Sequence, residues 1–341
     1  ILFFADSHLG FDFPVRPRSK TKRRGGDFFT NFEYILQTAL EQQVDLVIHG
    51  GDLFDRSKVH PSIVNKAYDR LFDFVDSGIP LALIPGNHDR STLPTSLFLQ
   101  HPNLYIFYEP RVYNLNLKNQ FFQIAGFPFI RNIGQEIISV VDDLEKRLSK
   151  GSTSLLCMHQ AIQGATVGPA NYTFHPGPQV ISKKDLKSSF NLYLSGHIHR
   201  HQIIHVHHED RSTPFIYPGS IERTSFAERD EEKGFVYLEF NSKETPRITF
   251  EQLPSRPMQQ IKIEDKITSK SQLVSLLRSQ VKAVDQRAIL QISSPTETIS
   301  TWLKEEIFKL VPESIHLQLR HQWIKTEFRS GKISGRSSIS E

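Results

Sequence analysis

The chain has 341 residues, of which 38% are hydrophobic and 23% charged, with a formal net charge of +4, a balance that does not make disorder the default and leaves length for one large domain plus a smaller one. Its single cysteine, Cys157 in the apolar run SLLCM, excludes an intramolecular disulfide, fits a reducing compartment and reads as a small core residue. No apolar run approaches the roughly 20 residues needed to cross a bilayer and no signal-peptide pattern is visible, so cytoplasm or nucleus is expected and a membrane is not.

The first residues, ILFFAD, already lie inside an apolar run, so an upstream segment stays open. The helical pattern FTNFEYILQTALEQQ follows, then VDLVIHGGD, the helical IVNKAYDRLFDFVDSG, and PLALIPGN. That order predicts successive βα units feeding a largely parallel sheet. FFQIAGF, SLLCMH, FNLYLSG, PFIYPGS, GFVYLEF and RITFEQL come with few helices between them, which predicts a second sheet of antiparallel character packed on the first. Residues 1–253 are thus read as one domain, and the segment PSRP, Pro254 to Pro257, as a linker. Residues 258–327 give strand, helix, strand, helix, strand (MQQIKIE, SQLVSLLRSQVKAV, AILQIS, TISTWLKEEIFKLV, IHLQLRHQW), enough for a small α/β domain. Residues 328–341, rich in Ser and Gly, are read as a tail or a truncated linker.

Polar residues gather where these strands end. FADSH places Asp6 and His8 two apart, and in extended chain that spacing points both side chains one way. IHGGD ends on Asp52, with Gly50 and Gly51 allowing close approach of the backbone. PGNHD supplies Asn87, His88 and Asp89, LLCMH ends on His159, and YLSGHIH ends on His197 and His199. Each residue alone has a bland reading as a hydrogen-bonded turn or surface residue. Five strand ends carrying the same donor types do not, because strand ends of a parallel sheet converge on one edge. Two carboxylates, an amide and several imidazoles, with no thiolate, suit a pair of ions such as Mn²⁺, Fe²⁺ or Zn²⁺ rather than an all-oxygen Ca²⁺ site. Two such ions about 3.5–4 Å apart generate hydroxide at neutral pH and clamp the oxygens of an in-line displacement, which makes phosphate-ester hydrolysis the expected reaction.

The series Asp6-Ser7-His8, Gly51 to Asp55, Gly86 to Asp89, His159 and Gly196 to His199 resembles the calcineurin-like metallophosphoesterases. The resemblance implies a two-sheet αββα sandwich, to which residues 258–327 add the small C-terminal α/β domain. It implies that Asp6, His8 and His199 hold one ion and Asn87, His159 and His197 the other, with Asp52 bridging. His88 would face the scissile phosphate and protonate the leaving oxygen or stabilise its charge, with Asp89 orienting the ring.

Three features narrow the substrate. The acid-free run RPRSKTKRR brings Arg16, Arg18, Lys20, Lys22, Arg23 and Arg24 after the first motif, and Arg56, Lys58 and Arg90 follow other motifs. Such a run is a solvated loop or an import signal as readily as a phosphate-backbone contact, until it stands beside a phosphoesterase site. FADSHLG, GGDLFDRSKVHP and IYPGSIERTSFAERDEEKGFVYLEF are similar to the SbcD-type break-repair nucleases, and the small second domain matches their capping domain in element order. The resemblance implies a Mn²⁺-dependent DNA exonuclease and single-strand endonuclease, dimeric, nucleoid-associated or nuclear, that partners a coiled-coil ATPase of the chromosome-maintenance type. No amphipathic helix is read after Trp323, where that partner would dock. The alternatives are a phosphodiesterase or phosphatase acting on nucleotides or phosphoproteins, and a DNA-end-binding scaffold with a vestigial site. Of the other histidines, His205, His207 and His208 read as an exposed hairpin, His49 as packed or supporting, and His175 as a loop residue that could touch substrate.

Overall fold

The computed structural model describes residues 1–13, 24–89, 93, 100–118, 120–241, 246–264, 266–294 and 296–321. The chain begins with β1 (Leu2–Phe4), α1 (Gly25–Glu41), β2 (Val47–His49), α2 (Pro61–Asp76), β3 (Leu81–Leu83) and β4 (Leu104–Ile106). α2 starts where His60 accepts a hydrogen bond from the Ser62 N–H and Pro61 takes the first turn, a position that needs no backbone donor. Next come β5 (Arg111–Leu117), β6 (Gln120–Gly126), α3 (Ile133–Lys146) and β7 (Thr153–His159). Four short strands follow, β8 (Ala161–Ile162), β9 (Thr166–Val167), β10 (Tyr172–Thr173) and β11 (Val180–Ile181). Then come β12 (Leu192–Gly196), β13 (Gln202–His207), β14 (Ser212–Tyr217), β15 (Gly234–Glu239) and β16 (Arg247–Gln252).

Two six-stranded sheets form, in the orders β16-β15-β1-β2-β3-β4 and β13-β14-β12-β7-β6-β5. In the first, β1 to β4 pair in parallel, and β15 and β16 add antiparallel. The second is less antiparallel than the strand-rich sequence suggests. β6, β7, β12 and β14 are all parallel, and only the edge pairs with β5 and β13 are antiparallel. A parallel pair needs a crossover. α3 supplies the one between β6 and β7, with Ile133, Ile137, Val141 and Leu144 on the face it buries.

Alternation along the strands explains the layers. Leu2 and Phe4 of β1, Val47 of β2 and Leu81 and Leu83 of β3 face a core shared with Phe28, Phe32 and Ile35 of α1 and Leu71 and Phe74 of α2. Their neighbours Phe3, Ile48 and Ala82 face the other way, into a core with Leu155 and Cys157 of β7 and Leu192 and Leu194 of β12. Leu156, Met158 and Tyr193 point outward again, onto α3. The result is helix, sheet, sheet, helix. At about 1.5–3 kcal/mol for each fully buried large apolar side chain, these three cores hold the strand ends rigidly enough to carry a site.

A second compact unit begins at Arg256. It contains β17 (Met258–Lys262), α4 (Lys270–Val281), β18 (Ile289–Ser294), α5 (Glu297–Leu310) and β19 (His316–His321), with the three strands parallel in the order β17-β18-β19. Ser269 and Thr296 cap the two helices through side-chain hydrogen bonds. Leu273, Leu277, Leu290, Ile292, Leu303 and Ile307 belong to its own core. Among the described residues no helix is long and apolar enough to cross a membrane.

Candidate metal centre

β1, β2, β3 and β12 stop short of the polar residues that follow them, whereas β7 runs to His159 itself. β1 ends at Phe4 and β2 at His49, and the chain then turns into the left-handed region at Asp6 (φ 52°), His8 (φ 42°) and Asp52 (φ 53°), as it does at His197 (φ 83°). Four of the eight non-glycine residues with positive φ among those described are therefore proposed ligands, and such strain persists where the surroundings over-determine it. Asp6 and His8 do converge, but through this turned backbone and not through the extended chain that their spacing suggests.

Ligand atoms of Asp6, His8 and His199 lie within 4.8 Å of one another, as do those of Asp6, Asp52 and His159. Nε2 of His8 and Nε2 of His199 are 3.0 Å apart. His159 is wholly buried and its Nδ1 lies 2.7 Å from the Gly50 carbonyl, so Nδ1–H donates there and Nε2 is turned toward Asp52 Oδ2 at 3.2 Å and Asp6 Oδ1 at 3.9 Å. That Nε2 makes no hydrogen bond of acceptable geometry. A lone pair facing two carboxylates is repulsive unless a positive charge, a proton on Nε2 or a metal ion, lies with them. His197 Nδ1 meets Asn87 Oδ1 at 3.0 Å, and the His197 N–H donates to both oxygens of Asp6 at 3.0 and 3.1 Å. All seven proposed ligands are thus linked through contacts within one cluster.

Close approach in the centre requires glycine at Gly51 and Gly86. A Cβ at Gly51, whose φ is +102°, would overlap the His159 ring, and one at Gly86 would overlap the Asp52 carboxylate.

The protonation balance points the same way. Burial raises the Asp6 carboxyl, whereas at Asp52 burial is outweighed by the His159 imidazole and the carboxyl is held well down. Burial would lower His159, but Asp52 and Asp6 push it up to about 9. His197, with less carboxylate contact, is lowered by burial to about 3. The negative charge of the two carboxylates thus favours a proton on His159. Divalent cations would replace that proton, and nitrogen and oxygen donors suit Mn²⁺, Fe²⁺ or Zn²⁺.

His88 is half-exposed, its ring edge-on to His8 and its Nε2 3.9 Å from Asp52 Oδ2. Its Nδ1 lies 2.5 Å from the Asp55 carbonyl, and its N–H donates to Asp52 Oδ1 at 2.9 Å. Asp89 does not orient this ring. It is buried, and its two oxygens accept from the N–H groups of Leu53, Phe54 and Gly86 at 2.9–3.1 Å, so it closes the loop and leaves the orienting contact to Asp55.

Of the cationic candidates, Arg16, Arg18, Lys20, Lys22, Arg23 and Arg90 lie outside the described residues, as does the segment 328–341. Arg56 and Lys58 are exposed on the loop after Asp52, Arg56 in contact with Asp55 at 3.0 Å. Arg24 departs from the expected rim position. It is 1% exposed, its guanidinium donates to the Arg223 carbonyl at 2.7 Å and lies 3.7 Å from Glu222, which makes it part of the core.

Several supporting residues carry no motif. The His49 ring joins two ligand loops, with Nε2 2.9 Å from Ser7 Oγ and Nδ1 accepting from the Gly51 N–H at 3.2 Å. Glu228 lies 3.4 Å from His199 Nδ1, and Phe129 packs 5.7 Å from His197 ring to ring. Chemistry-bearing side chains that meet across long sequence separations leave no local spacing to read. His205 and His207 are exposed on the β13–β14 hairpin, and His175 is exposed on its loop.

Residues 1–201 match the calcineurin-like phosphoesterase family. The DNA double-strand break repair protein Mre11 of Aeropyrum pernix is 28% identical over 77% of this chain and 63% of its own length. Mre11 of Archaeoglobus fulgidus is 26% identical over 76% and 60%. The chain therefore spans less than two thirds of these curated relatives. A dimetal phosphatase structure from Danio rerio aligns with 69% of this chain and 90% of its own at 12% identity and a TM-score of 0.43.

Proposed function

We propose, from the premise that the chain belongs to the calcineurin-like phosphoesterase family, that it is a Mn²⁺-dependent DNA nuclease of double-strand break repair, acting as an exonuclease and a single-strand endonuclease. The observation that carries this reading is the meeting of two carboxylate–imidazole triads on a shared Asp6, beside a half-exposed His88. The break-repair names of its relatives favour DNA over other phosphoesters.

Asp6, His8 and His199 would hold one ion, Asn87, His159 and His197 the other, and Asp52 would contact both. Bound there, the ions would supply Lewis acidity and water acidified to near neutrality. His88 gives its Nδ1–H to Asp55, which fixes the ring and leaves Nε2 toward the site; a proton on Nε2 is the one available to the departing sugar oxygen. Asp89 keeps the loop that carries Asn87 and His88 closed. Arg56 and Lys58 would meet the phosphate backbone. Residues 258–327 would act as a DNA-binding capping domain, and the whole would work as a homodimer with a coiled-coil ATPase in the cytoplasm or nucleus.

The test is the purified chain with Mn²⁺, Mg²⁺ or Zn²⁺ against labelled linear, hairpin and circular single-stranded DNA, alongside a chromogenic phosphodiester. Cleavage of DNA that requires Mn²⁺ and weakens steeply with salt is expected. Turnover of the small diester alone, indifferent to salt, would favour the nucleotide or phosphoprotein phosphoesterase. DNA binding with no turnover of either substrate would favour a scaffold.

A further inference from the structure

His199 has to present Nε2 to the centre, where it faces Nε2 of His8 at 3.0 Å. Its other nitrogen, Nδ1, lies 3.4 Å from Glu228 Oε1 and 3.4 Å from Thr224 Oγ1. The Thr224 hydroxyl donates to the same Glu228 Oε1 at 2.5 Å, so both acceptors open to the ring lead to one carboxylate. That carboxylate is fixed in turn. Lys233, with none of its surface exposed, lies 2.7 Å from Glu228 Oε2 and donates to Glu231 Oε2 at 3.1 Å and to the backbone carbonyl of His199 at 2.8 Å. Arg200, next to the ligand, donates to Glu231 Oε1 at 3.0 Å.

Charges taken out of water cost several kcal/mol each, and a well-packed apolar cluster is commonly as stable as a buried ion pair. Stability alone gives no reason for a buried lysine between two glutamates at this place. Orientation does, because a metal-binding histidine is commonly fixed by a hydrogen bond from its second ring nitrogen to a carboxylate.

We infer that Glu228 is a positioning residue for His199: its carboxylate, held by Lys233 and Thr224, fixes the ring with Nε2 toward His8 and so sets the affinity for a divalent cation at Asp6, His8 and His199. The inference rests on the metal reading proposed above.

The experiment titrates Mn²⁺ into the metal-stripped full chain, wild type and Glu228→Gln, followed by calorimetry and electron paramagnetic resonance with no nucleic acid present. Wild type is expected to take two ions and give a spin-coupled signal. Glu228→Gln, which keeps the shape and removes the charge, is expected to take one ion as before and the second about 10- to 100-fold more weakly. An isolated-ion signal would then persist at Mn²⁺ concentrations where wild type is already coupled. A merely structural salt bridge would lower the melting temperature of the stripped protein and leave the two affinities together. Unchanged affinities, or an equal loss at both ions, would overturn the inference. Should Glu228→Gln not fold because Lys233 is left in excess, Glu228→Gln with Lys233→Met removes both charges and carries the same expectation. A wild-type chain that takes no Mn²⁺ would overturn the metal centre and this inference together. Two ions in wild type and two equally tight ions in the variant would overturn this inference alone.

Discussion

His159 and His199 belong to the two triads that meet on Asp6, and they are braced by different chemistry. His159, with its side chain wholly buried, gives Nδ1–H to the backbone carbonyl of Gly50 at 2.7 Å. His199, with a quarter of its side chain exposed, looks to the side chains of Glu228 and Thr224 at 3.4 Å. A carbonyl is present whatever residue stands at the position, so the deep half is fixed by the fold itself. A carboxylate can be replaced, so the shallow half is the one that sequence change can tune without disturbing its partner.

Substitutions in the deep half should be the most damaging. Asp52→Asn removes the carboxylate that meets His159, and Gly51→Ala drives a methyl group into that ring. Both are expected to abolish Mn²⁺ uptake at both ions and DNA cleavage with it, a larger loss than the about 10- to 100-fold assigned to an outer partner such as Glu228. Retention of two ions by Gly51→Ala in calorimetry would break the claim that the deep half is rigid. His88→Ser removes none of the proposed ligands and keeps the backbone N–H that donates to Asp52, and should slow cleavage by about 10²- to 10⁴-fold at unchanged Mn²⁺ affinity. Stability offers a milder readout. Mn²⁺ at about 100 times its dissociation constant should add about 2.7 kcal/mol to the wild type, seen as a higher melting temperature, and nothing to Asp52→Asn. The smallest effect belongs to Arg56→Ala, outside both halves, which should weaken DNA binding slightly and flatten its salt dependence by about one phosphate contact, with Mn²⁺ affinity untouched.

Much of this was legible in the sequence because parallel strands deliver whatever follows them to one edge. Asp6, His8, Asp52, Asn87, His159, His197 and His199 each follow an apolar run, and that local grammar was enough to gather them. Backbone handedness was not legible. Asp and His leave the strand through positive φ at three sites where only glycine would have announced it. The partners of ring nitrogens were equally hidden, since Asp89 has the spacing to orient His88 and spends its oxygens on three backbone donors. Glu228 shares the run ERDEEK with Asp230, Glu231 and Glu232, and nothing in composition separates the one that reaches His199. The parallel centre of the second sheet escaped for a related reason. Two-residue strands and irregular loops between β7 and β12 make the crossover, and these carry no helical period.

Cys157 lies between the two sheets with no exposed surface, its thiol pushed up by burial, and no other cysteine exists in the chain. A thiol-specific reagent therefore has a single target, reachable only when the layers part. Labelling speed, followed with and without Mn²⁺, would time the opening of the sandwich from one atom at its middle, with no engineered probe.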